Sequence, residues 1–523
     1  MPDEGVEPTS AGHGHRLIGI ALLVTVGAAP LLAQVLHELS SVRWDTTLSS
    51  DYAGSENDVR ALMHGNLRMG ASSRLGVRNL GPAGSAWMTP FYAGTGQGAG
   101  GMILAAWAAN LAGIATFVLV VRRAAGPVPA LTAALVLAMA LLRAGPASLS
   151  DFYNPALTVP AVLAATAACA ALSLGRWAVL PVAVAGASLG VQLHLAAGPG
   201  LAVACALAVV GAVRAAGRPP TRPLVVAAVV ACVLWSPTVI DQVTGTGNAA
   251  KLIEALVEGS DEHQPLGDPG PSPARPLRAA VALELSSLAA PDSALVGTLY
   301  TAFRPPDPSA TRTALGGIAL AAAISVAVLQ RRRSPLGSRI VIFSAAGALA
   351  TFAATATIRR GFLYYYLAPL PAYGVLITVG LALTATAGIS WSGRRRVLWG
   401  AAASAVFALS YATTSNRVTE VVDTGAEGTV LALLVDQIQA SVPPDCLKRG
   451  VALQADALQM SDVWALIVEL DKRGISTSVP IELEALAGPG HRRSYREGME
   501  LQVPSLERLQ AGGPFTLPMG HCD

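Results

Sequence analysis

Long uncharged apolar segments recur along most of this 523-residue chain, and they constrain its fold more than any other feature. A membrane-spanning helix needs about 20 predominantly apolar residues, because the hydrocarbon core of a bilayer is roughly 30 Å thick. About eleven segments approach this length, at residues 17–36, 101–121, 127–142, 155–174, 177–195, 196–213, 223–240, 315–330, 340–358, 362–389 and 397–411. The sequence therefore predicts a mainly α, polytopic membrane protein.

The distribution of charge supports this class and predicts an orientation. Only 13% of the residues are charged, whereas soluble proteins are about 25% charged. Five alternate connections carry arginines and no acidic residue, namely Arg122, Arg123, Arg176, Arg214, Arg218, Arg222, Arg331, Arg332, Arg333, Arg339, Arg394, Arg395 and Arg396. Because positive charge concentrates on the cytoplasmic side of membrane proteins, the N-terminus is predicted to be cytoplasmic. Topology explains these basic residues, so a nucleic-acid partner is not expected.

The same alternation divides the chain into three parts. Residues 1–16 form a cytoplasmic tail, 17–411 form the membrane domain, and 412–523 form a small external α/β domain. Two large loops of the membrane domain, 40–100 and 241–312, are also predicted to be external. Loops of this length in a compact protein are usually functional.

The external loops and the tail have local patterns of their own. In the loops, helices are predicted at 55–67, 249–258 and 277–301. In the tail, an amphipathic helix is predicted at 418–440, followed by a strand at 450–455, a helix at 462–473 with Ser461 as its N-cap, and a strand at 475–481. Strand, helix and strand in this order predict a β-α-β unit.

The five cysteines fall into two groups. Cys169, Cys205 and Cys232 lie in apolar helices and are predicted to be small packing residues. Cys446 and Cys522 lie in the external tail, where oxidation is permitted. They are predicted to form a disulfide bond, with two unrelated free thiols as the alternative.

Several short motifs follow one another in an informative order. The first large loop contains Asp51-Tyr52-Ala53, Arg60, Ser73-Arg74-Leu75-Gly76, Gly81-Pro82 and Phe91-Tyr92. Further along are Asn154-Pro155, Gln192-Leu193-His194, Ser236-Pro237, Arg359-Arg360 and Tyr364-Tyr365-Tyr366. These motifs, with large external loops after the first and seventh spans, resemble the GT-C glycosyltransferases. The layout is most similar to the branch of aminoarabinose transferases and protein O-mannosyltransferases.

The resemblance implies a fold and a reaction. The fold would be a GT-C-like helical membrane domain, and the reaction would move a sugar from a polyprenyl-phosphate donor to an external acceptor. The chain departs from the family pattern at Asn79-Leu80, where relatives carry His-Pro before Gly-Pro, and at Trp87, where the expected aromatic is displaced. These departures concern the acceptor and, more weakly, the activity itself.

The resemblance implies that Asp51 is the general base. An acceptor hydroxyl must lose its proton as it attacks the anomeric carbon, and a carboxylate within hydrogen-bonding reach accepts that proton. Asp45, Glu56 and Asp58 are alternatives in the same loop. Asp58 lies two residues before Arg60 and is interpreted as a surface charge.

Asp151 follows in the short second external loop, beside Asn154. The resemblance implies that it helps to bind the acceptor, or a divalent cation together with Asp51, although no cofactor is required. A helix cap for the fourth span explains Asp151 equally well.

Arg359 and Arg360 break the positive-inside pattern, because they lie on the predicted external side. An arginine binds phosphate through two parallel hydrogen bonds, so this pair suits the leaving polyprenyl phosphate; interfacial snorkelling is the alternative. Tyr364, Tyr365 and Tyr366 would flank the lipid or sugar, or form an interfacial aromatic belt. Arg304 is a second candidate for the phosphate.

Three other residues complete the predicted site. Arg74 would brace the first loop or contact the acceptor, and Asn154 would contact substrate at the start of the fourth span. His194, at the outer end of the fifth span, is either a substrate contact or a packing histidine.

The sequence thus predicts an inverting membrane glycosyltransferase in a bacterial plasma membrane, with its tail domain outside. Its partners would be a polyprenyl-phosphate sugar, membrane lipid, and an envelope glycan, lipid or protein as acceptor. The alternatives are a GT-C-like scaffold without activity and a transporter of lipid or solute. A transporter would carry ionisable residues inside its spans, and the predicted spans hold almost none.

Overall fold

The computed structural model describes residues 40, 46–48, 50–66, 69–72, 77–144, 147–258, 310–356, 367–387, 425–454, 460–479 and 499–502. These residues are mainly helical. The helices before residue 260 are α1 (Ser50–Met63), α2 (Ala83–Gly94), α3 (Ala99–Ala125), α4 (Pro127–Ala144), α5 (Ala147–Ser150), α6 (Asn154–Leu172), α7 (Leu180–Leu193), α8 (Gly198–Ala216), α9 (Thr221–Thr244) and α10 (Asn248–Glu258). They are followed by α11 (Ala310–Leu329), α12 (Pro335–Ala356), α13 (Leu370–Thr386), α14 (Gly425–Ser441), α15 (Pro444–Arg449) and α16 (Met460–Lys472). Short 3₁₀ turns at Trp177–Val179 and Leu195–Ala197 precede α7 and α8.

Nine of the eleven predicted apolar segments coincide with helices, namely α3, α4, α6, α7, α8, α9, α11, α12 and α13. The other two, 17–36 and 397–411, lie outside the described residues, as does the predicted boundary between the membrane and tail domains. Within the described part, five helical segments are long and apolar enough to cross a membrane, namely Ala99–Ala125, Asn154–Leu172, Leu195–Ala216, Thr221–Thr244 and Pro335–Thr355. The chain is therefore a multi-pass membrane protein.

Helix α6 forms the centre of the membrane domain. Its apolar stretch is 94% buried, against α3, α7, α8 and α12, whereas that of α9 is only 6% buried. Small side chains allow the helices to approach closely. Gly186, for example, lies against Ala165, so that a methyl group at position 186 would approach it to 3.0 Å. The exposed apolar surface of α9 suits contact with lipid.

The helix connections gather at two opposite ends of the bundle. At one end Gly175 lies against Ala216, next to the predicted cytoplasmic arginines. At the other end Gly81 of the first large loop lies between Gln192 of α7 and Thr238 of α9. The loops predicted to be external therefore meet one another.

The tail contains a small parallel sheet. Strand β1 (Val451–Gln454) lies between β2 (Thr477–Ser478) and β3 (Met499–Gln502), and both neighbours are parallel to it. Helix α16 connects β1 to β2, so the predicted β-α-β unit is present. The third strand was not predicted from the sequence.

The cysteines agree with the predicted grouping as far as they are described. Cys169, Cys205 and Cys232 are free thiols. Cys446 is disulfide-bonded, and its predicted partner, Cys522, lies outside the described residues. The pairing of these two cysteines therefore stays a prediction.

The tail packs against the first large loop. A single apolar core combines Val59 of α1 and Tyr92 of α2 with Leu434 of α14 and Leu466 and Leu470 of α16. The tail and the first loop therefore bury each other's apolar surface.

A short antiparallel pairing of residues 70–72 with residues 78–79 closes the first loop over one end of the bundle. The amide of Gly70 donates to the carbonyl of Asn79 at 2.9 Å, and the amide of Asn79 donates to the carbonyl of Ala71 at 2.8 Å. The chain then passes through Gly81, whose φ of 81° lies in the left-handed region that glycine tolerates best. A Cβ atom at Gly81 would lie 2.5 Å from Gln192 Oε1.

A comparison of two glycines distinguishes the stability cost of a left-handed backbone conformation from the cost of a steric clash. Gly65 has a φ of 74° and no atom within 4 Å of a Cβ added to it. Gly65→Ala should cost about 1–2 kcal/mol of unfolding free energy. Gly81→Ala should cost about 1–3 kcal/mol more, because its methyl group also clashes with Gln192. Thermal unfolding of both variants in detergent measures the difference, and equal losses would contradict the described packing at Gly81.

Candidate functional site

Helix α1 carries the residues on which the site is built. It begins at Ser50, five residues before the predicted start at residue 55, so Asp51 and Tyr52 belong to its first turn rather than to a loop. An acidic residue in the first turn of a helix is favoured by the helix dipole. Tyr52, Glu56 and Arg60 recur every four residues and therefore lie on one face.

Tyr52 joins the first large loop to the short loop that precedes α6. Its hydroxyl donates to Asp151 Oδ1 at 3.1 Å, although the two residues are 99 positions apart. Its ring packs edge-on against Phe152, with the ring centroids 4.9 Å apart. Asp51 precedes Tyr52 and is exposed. The fold thus places the exposed carboxylate of Asp51 on the turn that contacts Asp151.

Asp151 is almost fully buried, with 2% of its surface exposed. Besides the Tyr52 hydroxyl, it accepts a hydrogen bond from the amide of Tyr153 at 2.9 Å. Burial raises the pKa of Asp151 to about 6, and these two hydrogen bonds oppose the shift. Burial and the neighbouring charge of Asp151 also raise the pKa of Tyr52. Tyr52 therefore has an exposed carboxylate, Asp51, and a buried one, Asp151, near it in different environments, an arrangement that is common at catalytic sites.

The interpretation of Asp58 as a surface charge was wrong. Asp58 is 3% exposed and forms a buried ion pair with Arg78. Burial raises the pKa of Asp58, and the charge of Arg78 opposes that shift. The sequence alone does not show that Asp58 is buried. Its partner Arg78 lies 20 residues away and comes close to Asp58 only when the first loop folds back on itself.

Arg78 also connects the two large loops, 40–100 and 241–312. Its Nε donates to the carbonyl of Gly70 at 2.9 Å, and its backbone exchanges hydrogen bonds of 2.9 and 2.8 Å with the Asn248 side chain. Asn248 begins α10, whose first amide is capped by Asp241 Oδ2 at 3.1 Å. The start of the loop 241–312 is therefore held against the first loop.

The first loop contains four acidic residues. The three that the structure describes differ in their exposure to solvent. Glu56 and Asp58 are buried in ion pairs with Lys472 and Arg78, so neither faces solvent. Asp45 lies outside the described residues. Asp51 is the one exposed carboxylate among the three acidic residues of this loop that the structure describes.

Two polar side chains, Gln192 of α7 and Thr238 of α9, form a small group beside Gly81. Gln192 Nε2 donates to the carbonyl of Leu234 at 2.8 Å. Its Oε1 and the Thr238 hydroxyl are buried and lack hydrogen-bond partners among the described residues. Thr238 was not predicted as a site residue, although the Ser236-Pro237 motif next to it was noted. The two side chains converge only because both helices end beside Gly81.

Two predicted substrate contacts lie near this group. His194 is buried at the junction between α7 and the following 3₁₀ turn. Asn154 begins α6, with its Oδ1 3.7 Å from the position of a Cβ at Gly84. The structure therefore brings Asn154, His194 and Asp151 to the same end of the bundle as α1.

The remaining predicted site residues lie outside the described residues, so their placement stays a prediction. They are Arg74, Arg304, Arg359, Arg360, Tyr364, Tyr365 and Tyr366.

The residues around Asp151 do not resemble a cation site. Hard divalent cations are held by shells of oxygen ligands, whereas Asp151 Oδ1 accepts two hydrogen bonds, from the Tyr52 hydroxyl and the Tyr153 amide. Across the described ranges, no group of three or more His, Cys, Asp or Glu side chains is placed to hold a metal. The divalent cation predicted between Asp51 and Asp151 stays a prediction, and no step below uses it.

Comparison with known proteins gives structural likenesses only. No protein-family model and no curated protein matches the chain. Among solved structures it is similar to ArnT from Cupriavidus metallidurans bound to undecaprenyl phosphate, with a TM-score of 0.47 and 14% identity over 90% of this chain and 87% of that chain. The apo state of the same protein gives 0.44 and 14%, over 87% and 85%.

The raised pKa of Asp151 predicts a pH dependence of stability. Its folded value of about 6 lies above the ordinary value near 4. The folded state therefore holds this proton more tightly, and the stability that the proton contributes is lost as pH rises from about 4 through about 6, by about 1.4 kcal/mol per unit of pKa difference. Asp151→Asn cannot titrate, so its melting temperature relative to wild type should rise between pH 4.5 and pH 7.

The exposed Asp445, which pairs with Lys448, provides the matched control. Asp445→Asn should follow the wild-type pH profile. If Asp151→Asn also ran parallel to wild type over this pH range, the raised pKa would be refuted.

Proposed function

We propose that the protein is an integral-membrane glycosyltransferase of the GT-C type. It takes a sugar from a polyprenyl-phosphate donor and transfers it to a hydroxyl group of an external acceptor, with inversion. The observation that carries this proposal is the hydrogen bond between Tyr52 and Asp151, which fixes the exposed carboxylate of Asp51 where the first two external loops meet.

The membrane domain suits a lipid-linked donor. A polyprenyl chain is soluble only in hydrocarbon, so its phosphate and sugar must lie at the membrane boundary. The ends of α6, α7 and α9 that contact the first loop would lie at that boundary. A site there could reach the sugar without removing the lipid from the membrane.

Asp51 acts as the general base in this proposal. The acceptor oxygen forms a bond to the anomeric carbon, while the bond from that carbon to the phosphate oxygen breaks. The hydroxyl proton passes to the carboxylate of Asp51, and the electron pair of the broken bond leaves with the polyprenyl phosphate. A single displacement from the opposite face inverts the anomeric configuration.

Asp151 and Tyr52 hold this arrangement together. Asp151 is buried and accepts the Tyr52 hydroxyl, so its main effect is to fix the first turn of α1 relative to the second loop. Asn154 begins the neighbouring helix and supplies an amide group that can bind acceptor or sugar hydroxyls. His194 lies at the same end of the bundle, and Arg74 is proposed to contact the acceptor.

Charge on the leaving phosphate requires a cation. Arg359 and Arg360 are proposed to bind it, because bidentate contacts strengthen as the phosphate gains charge in the transition state. Tyr364 and Tyr365 would flank the lipid or sugar beside them. The acceptor would be an envelope glycan, lipid or protein on the external face of a bacterial plasma membrane.

The first test concerns the base. Asp51→Asn keeps the size of the side chain and removes the proton acceptor, so transfer should fall about 10²- to 10⁴-fold while the protein folds normally. The assay measures transfer from a synthetic polyprenyl-phosphate sugar in nanodiscs, with envelope fractions as acceptor. Glu254→Gln, an exposed carboxylate on α10, is the matched control and should transfer like wild type.

Two results would contradict the proposal. Near-normal transfer by Asp51→Asn would remove Asp51 as the base. A wild-type protein that binds the donor but transfers no sugar to any envelope fraction would instead favour a scaffold or a transporter.

The second test concerns the donor phosphate. Arg359→Gln combined with Arg360→Gln should lower transfer at least about 100-fold and leave acceptor binding unchanged, because the lost contacts strengthen toward the transition state. Lysine at both positions should restore only part of the rate, since a point charge cannot form the bidentate contact. Arg331→Gln with Arg332→Gln, at the predicted cytoplasmic end, is the matched control. Wild-type turnover of the double Gln variant would move the phosphate site elsewhere, with Arg304 the next candidate.

A further inference from the structure

We propose that tail helix α16 positions the catalytic helix α1, with Lys472 and Asp471 as positioning residues for the transfer reaction. The proposal rests on the proposed function, because it assigns these residues the task of holding Asp51 and Tyr52. It gives the external tail a direct part in catalysis.

The first link is a buried ion pair between Glu56 and Lys472. Glu56 is 0% exposed, and its Oε1 accepts hydrogen bonds from the Tyr92 hydroxyl at 2.6 Å and from Lys472 Nζ at 2.9 Å. Lys472 also contacts Glu469 Oε1 at 2.9 Å. The other carboxylate oxygen of Glu56 is buried without a hydrogen-bond partner among the described residues. Lys472 therefore supplies the positive charge that makes a buried, charged Glu56 tolerable.

The second link lies one turn further along α1. Arg60 donates to Asp471 Oδ2 from Nε at 2.8 Å and from a terminal nitrogen at 2.5 Å. Its other terminal nitrogen donates to Gln97 Oε1 at 2.9 Å and to the Tyr92 hydroxyl at 3.3 Å. Both links therefore meet at Tyr92 of α2, so that α1, α2 and α16 share one polar network.

Close packing extends the contact toward the first turn of α1. Gly54 lies against the indole of Trp464, where an added Cβ would approach two ring atoms to 3.0 Å. Gly54 is three residues from Asp51. The contact with α16 thus runs along α1 from Gly54 to Arg60. Its Gly54 end lies next to the first turn, which carries Asp51 and Tyr52.

The two ends of this polar face of α1 have different partners. Tyr52 is held by Asp151 of the second loop, while Glu56 and Arg60, on the same face, are held by the tail. If the tail contacts are lost, α1 keeps the hydrogen bond of Tyr52 to Asp151 and its contacts with α2, but the buried carboxylate of Glu56 and the guanidinium of Arg60 lose their oppositely charged partners. The position of a general base must be accurate to a fraction of an ångström, so loosening α1 should lower kcat more than donor binding.

The test compares two lysines of the tail. Lys472→Met removes the cation but keeps much of the side-chain length. Lys448→Met is the matched control, because Lys448 makes an exposed pair with Asp445 in which its side chain is 77% exposed. Hydrogen–deuterium exchange of residues 50–63 and the kinetic constants for transfer are measured for both.

In Lys472→Met, amides of α1 should exchange at least tenfold faster, while those of α6 keep their wild-type rates. The kcat should fall at least tenfold, with the donor KM within about twofold of wild type. Lys472→Arg should retain most of the rate, and Lys448→Met should match wild type in every measurement. Asp471→Asn, whose side chain is 42% exposed, should show the same pattern more weakly and serves if Lys472→Met does not fold.

A double variant checks that charge pairing is the cause. Glu56→Gln with Lys472→Met removes both charges, so it should recover part of the α1 protection and part of the kcat that Lys472→Met alone has lost. If the contact acted only through packing, the double variant should lose as much α1 protection and kcat as the two single variants lose together.

Each measurement decides a different point. Wild-type exchange in α1 of both Lys472→Met and Asp471→Asn would overturn the proposal. So would faster exchange with an unchanged kcat, because the tail would then hold α1 without affecting the reaction. If the wild-type protein transfers no sugar, the proposed function fails and the catalytic role of α16 fails with it, whereas the exchange experiment still decides whether α16 holds α1.

Discussion

Burying a charged side chain is unfavourable unless an opposite charge is buried with it, and helix α1 buries three. Glu56, Asp58 and Arg60 lie within five residues of one another and are almost completely covered. Glu56 and Arg60 obtain their partners, Lys472 and Asp471, from the tail, and Asp58 obtains Arg78 from the first loop. The pairing of these charges requires the tail, the turn of the first loop and α1 to come together. Asp51 is exposed at the start of the same helix.

The membrane domain supplies the rigid base beneath this assembly. Helix α6 is surrounded by other helices, and its alanine-rich sequence allows their backbones to pack closely. The second loop leads directly into α6, so Asp151 is attached to a helix whose apolar stretch is 94% buried. The hydrogen bond from Tyr52 of α1 to Asp151 then fixes the position of α1 relative to α6. A flexible loop could not hold a carboxylate as accurately as a helix anchored in this way.

Part of the candidate site could be predicted from the sequence. Asp51 and Asp151 were singled out by their places after the first and third spans, and the fold brings their loops together through Tyr52. Asp58 was interpreted wrongly, and Thr238 was not considered. Both errors have the same origin, because burial depends on Arg78 in one case and on the neighbouring helix α7 in the other. A single sequence shows neither which charges are covered nor which helix ends meet.

The sequence by itself determined the features that depend on neighbouring residues. Apolar segments become helices because a backbone in lipid must satisfy its hydrogen bonds within the segment, and the β-α-β pattern of the tail follows from local periodicity. Only the tertiary structure decided which carboxylate stays exposed, where the tail packs, and which strand completes the sheet. These features depend on partners far apart in the chain, and the contact between Arg60 and Asp471 spans 411 residues. Local preferences carry no information about such contacts, because they form only when the whole chain has found its buried core.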